Sequence, residues 1–305
     1  MPARTCSPRI SLSHGARMFV GDLPAAPEAA TRAVLIDVAG ARCNVIDEGD
    51  GPPVLWLHGL GGTWRDFGTQ IDRLADRVRC IVPELRGHGR TPPVPGPFTT
   101  AVLGDDVALV LDVLGVDRAV VVGLSLGGMV AQAVALDYPE RVAGLVLVST
   151  SAAVPRLKGL VLRAAAARVR ARGIPGATDL LRLLERHSSG PSADDPMRSA
   201  RADGTAWERR DLASNDPDVL VAGLQALVAH DERSRLGSIT VPTMVVVGEH
   251  DPAVSVAEAA ELAAAIPGAV LQVVEGGGHL PNRDHATQFD ALVMSLVDRA
   301  WRHSG

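Results

Sequence analysis

A serine flanked by glycines follows a β-branched run and precedes an apolar helical pattern. The residues read Val120-Val121-Val122-Gly123-Leu124-Ser125-Leu126-Gly127-Gly128. When Gly-x-Ser-x-Gly joins a strand to a helix, the serine occupies a sharp, strained turn that exposes its hydroxyl, and its small neighbours allow the turn to close. The pattern predicts that Ser125 is a nucleophile. The alternative interpretation is a glycine-rich loop without chemical meaning.

A serine hydroxyl needs a base, and that base needs an acid to orient it. For this type of turn, the acid and then the histidine follow the serine in the chain. His279 follows three glycines just after the last predicted strand, and Asp251 follows the strand before it. Glu249 is the fallback acid, because Asp251 precedes a proline and that pair also opens turns. We therefore expect Ser125, Asp251 and His279 to form a catalytic triad.

Two backbone amides are expected to bind the negative charge that develops on the substrate oxygen. Leu126 begins the helix after the serine, where the helix dipole favours an anion. Leu60 lies in the loop His58-Gly59-Leu60-Gly61-Gly62, which follows an earlier strand and supplies the second amide. We interpret His58 as a structural residue bonded within this loop. Trp64 either lines the substrate pocket or packs against the next helix.

The composition excludes several other classes of protein. The chain has 305 residues, 47% of them apolar, and a formal net charge of -5, so it offers no cationic surface typical of nucleic-acid binding. Its single lysine, Lys158, precedes a glycine and follows Pro155 by three positions, which matches neither a P-loop nor a Ser-x-x-Lys site. The three cysteines are widely spaced and predict neither a disulfide framework nor a zinc site.

These observations predict a cytoplasmic protein without a metal site. No apolar run approaches the length of a membrane span, and the N-terminus lacks the apolar stretch of a signal peptide. The expected partner is a small-molecule substrate, without nucleic acid or membrane.

The elements that must position these residues alternate along the chain. A hairpin is predicted at 34–38 and 43–47, and further strands at 54–57, 80–82, 119–122, 145–148, 244–247 and 270–274. Helical patterns fall between them, at 64–76, 100–114, 126–137, 254–266 and 284–302. Such alternation predicts an α/β fold in which a mostly parallel sheet is covered by helices on both faces.

The predicted domain organisation has an insertion. Residues 152–236 are helical in composition and interrupt the β/α alternation, which then resumes. We favour a helical cap, or lid, inserted into a core of residues 33–151 and 237–305. The alternative is a second all-helical domain in series. Residues 1–32 predict a loose N-terminal extension.

Motifs in a fixed order resemble the α/β-hydrolase fold superfamily. They are Leu57-His58-Gly59, Arg86-Gly87-His88-Gly89, the serine turn, Gly248-Glu249-His250-Asp251 and Gly278-His279. The serine turn and Tyr138-Pro139-Glu140-Arg141-Val142 are most similar to 3-oxoadipate enol-lactonase-like esterases and cofactor-free haloperoxidases. The resemblance implies an eight-stranded sheet, a Ser-His-Asp triad, a helical cap and no cofactor. One departure is Glu84, where the family usually has aspartate.

Residues and resemblance together predict a serine hydrolase of a small ester or lactone that works through an acyl-enzyme. Two alternatives use the same site differently. One is a carbon–carbon bond hydrolase or a non-hydrolytic biosynthetic enzyme on the same triad. The other is a small-molecule receptor that retains the triad to bind its ligand.

Overall fold

A single mixed sheet organises the protein. The computed structural model describes residues 18–19, 33–38, 40–96, 98–173 and 215–302. Within these residues the sheet has nine strands in the order β1-β2-β3-β5-β4-β6-β7-β8-β9. The strands are β1 (Met18–Phe19), β2 (Ala33–Val38), β3 (Ala41–Glu48), β4 (Pro53–Leu57), β5 (Arg79–Pro83), β6 (Ala119–Leu124), β7 (Val142–Val148), β8 (Thr243–Gly248) and β9 (Val270–Val274). From β5 to β9 the paired strands are parallel, whereas β1, β2 and β3 are antiparallel to their neighbours.

Helices cover both faces of this sheet, as the sequence predicts. They are α1 (Gly68–Leu74), α2 (Thr100–Val113), α3 (Leu126–Asp137), α4 (Arg156–Arg172), α5 (Pro217–Ala229), α6 (Val256–Ala265), α7 (Pro281–Asp284) and α8 (Ala286–Arg302). Side chains of α2, α3 and α6 form one apolar cluster with the sheet, and α1 and α8 form another. Alternate strand residues serve the two clusters: Leu55 and Leu57 belong to the first, Val54 and Trp56 to the second.

Burial on both faces explains why the central strands are apolar without interruption. Every residue of β6 and β7 is buried, and parallel strands covered by helices on both sides have no solvent-facing positions. The hairpin strand β2 instead alternates between buried and more exposed residues. The α/β architecture and the eight expected strands, β2–β9, are thus confirmed, and β1 adds a two-residue strand at the edge.

Two predicted helices are interrupted in the structure. The pattern at 64–76 becomes a 3₁₀ helix, Trp64–Phe67, followed by α1. The carbonyl of Asp66 accepts a hydrogen bond from the side chain of Asn282 at 2.7 Å, and Phe67 lies outside the helical region of backbone angles. The last helix is split at His285 into α7 and α8. Because one of these interruptions involves a partner more than two hundred residues away, local periodicity did not reveal it.

The segment between β7 and β8 carries α4 and α5, which pack on each other. Their contact is apolar and consists of Ala165, Ala166, Val169, Leu220, Val221 and Leu224. At the base of this inserted segment, Ala153 forms a β-bridge with Asp231 and the Glu232 amide donates to the Ala152 carbonyl at 3.0 Å. The segment therefore leaves and rejoins the core at adjacent points. Residues 174–214 of the expected cap, and most of 1–32, lie outside the described residues.

Two further features of the described residues bear on function. None of the helices there combines the length and the apolar character needed to cross a bilayer. The same residues contain no group of three or more His, Cys, Asp or Glu side chains suited to a metal ion.

Candidate active site

The turn after β6 has the strained geometry that its sequence predicts. Ser125 has φ of 53° and ψ of -113°, a left-handed conformation that is unfavourable for a residue with a Cβ. Neighbouring strand β7 holds the turn in place: the Ser125 amide donates to the Val148 carbonyl at 2.9 Å, and the Thr150 hydroxyl donates to the Ser125 carbonyl at 2.9 Å. Hydrogen bonds to both the amide and the carbonyl of Ser125 thus stabilise its strained conformation.

The glycines of the motif are required by close backbone contacts. A Cβ on Gly123 would lie 2.3 Å from the Gly127 carbonyl oxygen, and a Cβ on Gly127 would lie 2.0 Å from that of Leu57. Neither separation is sterically possible, and both neighbours are backbone atoms that cannot move aside easily. The start of α3 therefore lies directly against β4 and β6, and this contact fixes the direction of the turn.

The loops after β8 and β9 bring Asp251 and His279 together. The Nδ1–H of His279 donates to the two carboxylate oxygens of Asp251, at 2.9 and 3.0 Å. The two loops are also joined through their backbones, since the His250 amide donates to the Gly277 carbonyl at 2.8 Å. Glu249, the fallback acid, instead accepts from the Gly276 amide at 3.0 Å on the exposed side. The sequence-predicted acid and histidine are therefore neighbours.

The environment of this pair favours its charged states. The Asp251 side chain is fully buried, and it also accepts from the amides of Ala253 and Val254 at 2.8 and 3.0 Å. Burial by itself would raise the pKa of Asp251, but the charge and hydrogen bond of His279 and these two amides outweigh it and lower the pKa. For His279, burial is outweighed by the charge and hydrogen bond of Asp251, so its pKa is raised.

Ser125 and His279 lie at the same edge of the sheet, because they follow the carboxyl ends of the parallel strands β6 and β9. Among the described residues, the hydrogen bonds of the site do not include one between the serine hydroxyl and the imidazole. Such bonds are often long in unliganded enzymes and tighten only when substrate is bound. The alignment of the Ser125 hydroxyl with the His279 imidazole in a substrate complex stays a prediction.

The loop after β4 carries the expected second oxyanion amide. The Gly62 amide donates to the Gly59 carbonyl at 3.1 Å, so Leu60 lies within a tight turn. A Cβ on Gly59 would be 3.7 Å from the Ser125 Cβ, which brings this loop next to Ser125. Leu126 is the first residue of α3, and its amide has no acceptor inside the helix. Both amides are therefore near Ser125, and their role in binding an oxyanion stays a prediction.

His58 holds this loop in place, as the sequence interpretation proposes. Its Nε2 accepts from the Leu85 amide at 2.9 Å, so the proton is on Nδ1, which donates to the Gly59 carbonyl at 2.8 Å. Burial and the nearby His88 lower the pKa of His58 to about 3. A ring that stays neutral and uses both nitrogens in the backbone is a structural element of the loop.

Asp66 is a site residue that sequence reasoning missed. It is buried, and its carboxylate accepts from the Gly59 amide at 3.2 Å. A Cβ on Gly62 would lie 2.1 Å from the same carboxylate, so the loop wraps tightly around it. The Asp66 charge also contributes to the raised pKa of His279. No local pattern identifies this aspartate, because its partners come from a folded loop.

A buried polar network connects the 3₁₀ helix after the loop of Leu60 to the helices α7 and α8 after His279. Asn282 binds the Asp66 carbonyl, and the Gln70 side chain donates to the Asn282 carbonyl at 2.7 Å and to the Asp290 carboxylate at 3.1 Å. The network fixes the distance between the loop of Leu60 and the loop of His279. Its members are far apart in sequence, and polar residues within apolar helical patterns were the only available signal.

The inserted segment contacts the same loop from the other side. The Asn215 side chain donates to the Gly61 carbonyl at 3.0 Å. The Leu60 side chain packs into the cluster between α4 and α5, so closely that a Cβ on Gly223 would lie 2.2 Å from its Cδ1. The position of the expected oxyanion amide is thus coupled to the packing of α5.

Glu84 has one methylene more than the aspartate of the family pattern, and Gly89 leaves room for it. It is buried and binds the Asn44 side chain at 3.0 Å and the Arg90 amide at 2.6 Å. A Cβ on Gly89 would lie 2.3 Å from the Glu84 carboxyl carbon. Burial raises the pKa of Glu84 despite these bonds. The departure from the family pattern is therefore accommodated within the turn.

The neighbouring Arg-Gly-His-Gly turn is structural in its contacts. Arg86 forms a two-pronged ion pair with Asp106, with both distances 2.5 Å. His88 is buried and bonds the Arg86 carbonyl at 3.1 Å. Burial lowers the pKa of His88 to about 4, so the ring is neutral.

Trp64 packs beside the apolar cluster of α1 and α8, and the Arg65 guanidinium lies 4.9 Å from its ring centre. A contact of Trp64 with substrate stays a prediction. The buried thiols Cys43 and Cys80 are unsuited as nucleophiles, because burial raises the pKa of each to about 12.

Comparison with known proteins identifies the family. A family model described as the alpha/beta hydrolase fold matches residues 52–286. The chain belongs to this family. It is 27% identical over 254 residues to 3-oxoadipate enol-lactonase 2 of Acinetobacter baylyi, covering 83% of this chain and 91% of the lactonase. The crystal structure of the enol-lactonase from Burkholderia xenovorans LB400 superposes with a TM-score of 0.77 at 27% identity, covering 86% and 98% of the two chains.

A further relative is a much longer protein. The chain is 33% identical over 281 residues to the polyketide synthase ThaQ of Burkholderia thailandensis, covering 90% of this chain and 13% of the synthase. The α/β-hydrolase therefore spans a small part of that relative. The resemblance to the superfamily and to enol-lactonases is confirmed, and the chain is an α/β-fold hydrolase.

The close contact of Gly127 predicts a severe effect of one methyl group. We expect Gly127→Ala to lower the free energy of unfolding by about 3 kcal/mol or more, because the added Cβ overlaps a backbone oxygen of β4. Chemical denaturation measures the change. Gly237→Ala is the control, since a Cβ there meets nothing within 4 Å. Equal stability of the two variants would contradict the packing argument.

The charge of Asp66 predicts a shift in the histidine titration. In Asp66→Asn the side chain keeps its shape and an oxygen for the Gly59 amide but loses its charge, so the pKa of His279 should fall. Titration of the His279 ring protons by NMR measures this. Asp37→Asn, on the exposed part of β2, is the charge-matched control. A rise, or an equal fall in the control, would disagree with the assignment.

Proposed function

We propose that this hydrolase cleaves a small ester or lactone through an acyl-enzyme, with Ser125 as nucleophile, His279 as general base and acid, and Asp251 as the orienting acid. The observation that carries the proposal is the hydrogen-bonded pair of the buried Asp251 and the partly buried His279, at the sheet edge where Ser125 adopts a strained turn. Such a pair holds one ring nitrogen as a donor and leaves the other to accept a proton.

In the acylation step, the Ser125 oxygen attacks the carbonyl carbon while His279 Nε2 takes the hydroxyl proton. The carbonyl π electrons move to its oxygen, which the amides of Leu60 and Leu126 bind. When the tetrahedral intermediate collapses, the carbon–oxygen bond to the leaving group breaks and His279 returns the proton to that oxygen. In a lactone, the alcohol so formed stays attached to the acyl chain.

Hydrolysis of the acyl-enzyme repeats these steps with water. His279 removes a proton from water, the resulting hydroxide attacks the acyl carbon, and the ester bond to Ser125 breaks as the serine regains its proton. Each half-reaction forms an imidazolium for a moment. The ionised Asp251 stabilises that cation, and its lowered pKa keeps it ionised at neutral pH.

The inserted segment is proposed to act as a cap that shapes the acyl pocket. Support comes from the packing of Leu60 against the apolar cluster between α4 and α5 and from the bond between Asn215 and Gly61. These contacts put apolar side chains beside the expected oxyanion amide. An aliphatic surface there suits an apolar acyl chain.

Similarity to two enol-lactonases supports the choice of an ester or lactone as substrate. A second candidate is an acyl-transfer or cleavage step in biosynthesis, on the same three residues. Its support is the similarity to a segment of a polyketide synthase. A substrate panel of esters, lactones, β-diketones and acyl thioesters separates the two, since a lactonase would favour the oxygen esters.

Labelling tests the nucleophile. A fluorophosphonate probe should modify Ser125, and Ser125→Ala should lose both the label and at least about 10³-fold in kcat. Ser151→Ala, a nearby serine after β7, is the matched control and should keep the label. Full esterase activity of Ser125→Ala would exclude the proposal, and absence of turnover on the whole panel would favour a receptor.

The raised pKa of His279 predicts the pH dependence. Because only the neutral ring accepts the serine proton, kcat/KM should fall on the acid side with a midpoint above 6.5, the ordinary value for histidine.

In Asp251→Asn the ring loses its ionised partner, so kcat should drop about 10⁴-fold. Glu249→Gln should retain most activity, and the reverse result would identify Glu249 as the acid.

A further inference from the structure

The only lysine of the chain joins the inserted segment to the loop that carries Asp251. Lys158 lies in the first turn of α4. Its ammonium donates to the Ala253 carbonyl at 2.8 Å and to the two carboxylate oxygens of Glu258 at 2.7 and 2.6 Å. Three acceptor atoms match the three N–H groups of an ammonium. This arrangement contrasts with the exposed position of Arg156 in the same helical turn.

One of the two residues that Lys158 binds, Ala253, also holds the carboxylate of Asp251. Ala253 receives the lysine on its carbonyl, and its own amide donates to the Asp251 carboxylate at 2.8 Å. Glu258 caps the start of α6 by accepting from the Ser255 amide at 2.8 Å. A single residue, Ala253, therefore separates the lysine from the Asp251 carboxylate. The same ammonium thus binds the backbone of the Asp251 loop, at Ala253, and the first turn of α6, at Glu258.

We propose that Lys158 is a positioning residue for the Asp251–His279 pair, through which the inserted segment holds the acid loop in its reactive geometry. The proposal rests on the function proposed above and adds to it a residue that no motif of the family marks. Lys158 touches neither Ser125 nor His279 in the described hydrogen bonds. It acts through Ala253 and Glu258.

The charges around His279 give this role a measurable sign. Asp251 from the β8 loop and Asp66 from the 3₁₀ helix raise the pKa of the ring, and Lys158 from α4 opposes them. Removal of the ammonium should therefore raise the pKa of His279. A structural support without electrostatic contact would change the stability of the protein but leave this titration where it is.

The decisive variant is Lys158→Met, which keeps the length of the side chain and removes its charge and donors. We expect kcat to fall about tenfold, with KM changed less than about twofold, because the acid is less well oriented. The fall of kcat/KM on the acid side of the pH profile, its acid limb, should move to higher pH, because the ammonium no longer opposes protonation of His279. Lys158→Arg restores the charge and the donors. It should recover most of kcat and return the acid side of the kcat/KM pH profile to its wild-type position.

Two matched variants separate positioning from general charge effects. Arg156→Met removes the same charge from the same helical turn, at an exposed position, and should leave kcat and the acid limb as in the wild type. Glu258→Gln still caps α6, since glutamine serves in a capping box, but loses the ion pair. It should lower kcat about threefold without moving the limb upward, because the ammonium remains near the loop.

NMR titration of the His279 ring gives a readout that does not depend on turnover. An upward shift in Lys158→Met but not in Arg156→Met supports the proposal even if no substrate is known. Equal shifts in both variants, or wild-type kcat and titration in a folded Lys158→Met, overturn it. Should Lys158→Met fail to fold, unchanged kcat in Glu258→Gln overturns it instead. If the fluorophosphonate probe does not label Ser125 in the wild type, the proposed function is rejected. The NMR titration of His279 stays interpretable in that case.

Discussion

The buried carboxylate of Asp251 imposes the strongest constraint on this protein. An ionised group without solvent exposure costs several kcal/mol unless hydrogen bonds replace its water. Asp251 meets that cost through two amides of its own loop and the ring of His279. The loops after β8 and β9 must therefore fold against each other, and the stabilised charge is then available to any cation that forms on the imidazole.

Close backbone contacts extend this constraint across the sheet. Gly248, at the end of β8, leaves no space for a side chain, since a Cβ there would lie 2.2 Å from the Gly278 carbonyl oxygen. The turn at Ser125 is packed equally tightly against β4. The turn of Ser125 and the loop of His279 are thus both packed against backbone at one edge of the parallel sheet. The unfavourable backbone conformation of Ser125 is held by these close contacts and by the hydrogen bonds of its amide and carbonyl.

The sequence predicted those parts of the structure that depend on local chemistry. Continuous β-branched runs identified the central strands, and glycine spacing identified the serine turn, because sterics act between neighbours. Asp251 and His279 were found from their places after successive strands, and the structure brings them into contact. The helix breaks and the polar network were not predictable in this way. Gln70 and Asn282 meet across 212 positions, and Lys158 and Ala253 across 95, so neither pair leaves a periodic signal.

Glu84 illustrates a different limit of sequence reasoning. The longer acid departs from the expected pattern, yet it fits because Gly89 has φ of 56° and carries no Cβ. The compensation depends on a position five residues away that already belongs to the motif. A pattern match records that Gly89 is present but not the space that it provides.

The narrow attachment of the inserted segment affects how this fold can diversify. Its two ends meet at a bridge between Ala153 and Asp231, so a chain of different length could join the same two points at little cost in loop-closure entropy. The sheet and its loops would keep their register through such an exchange. The limit is set by Leu60, Asn215 and Lys158, since a replacement segment must again supply contacts to the loop of Leu60 and to the loop of Asp251. A whole segment can thus be exchanged, provided that these few anchoring contacts are rebuilt.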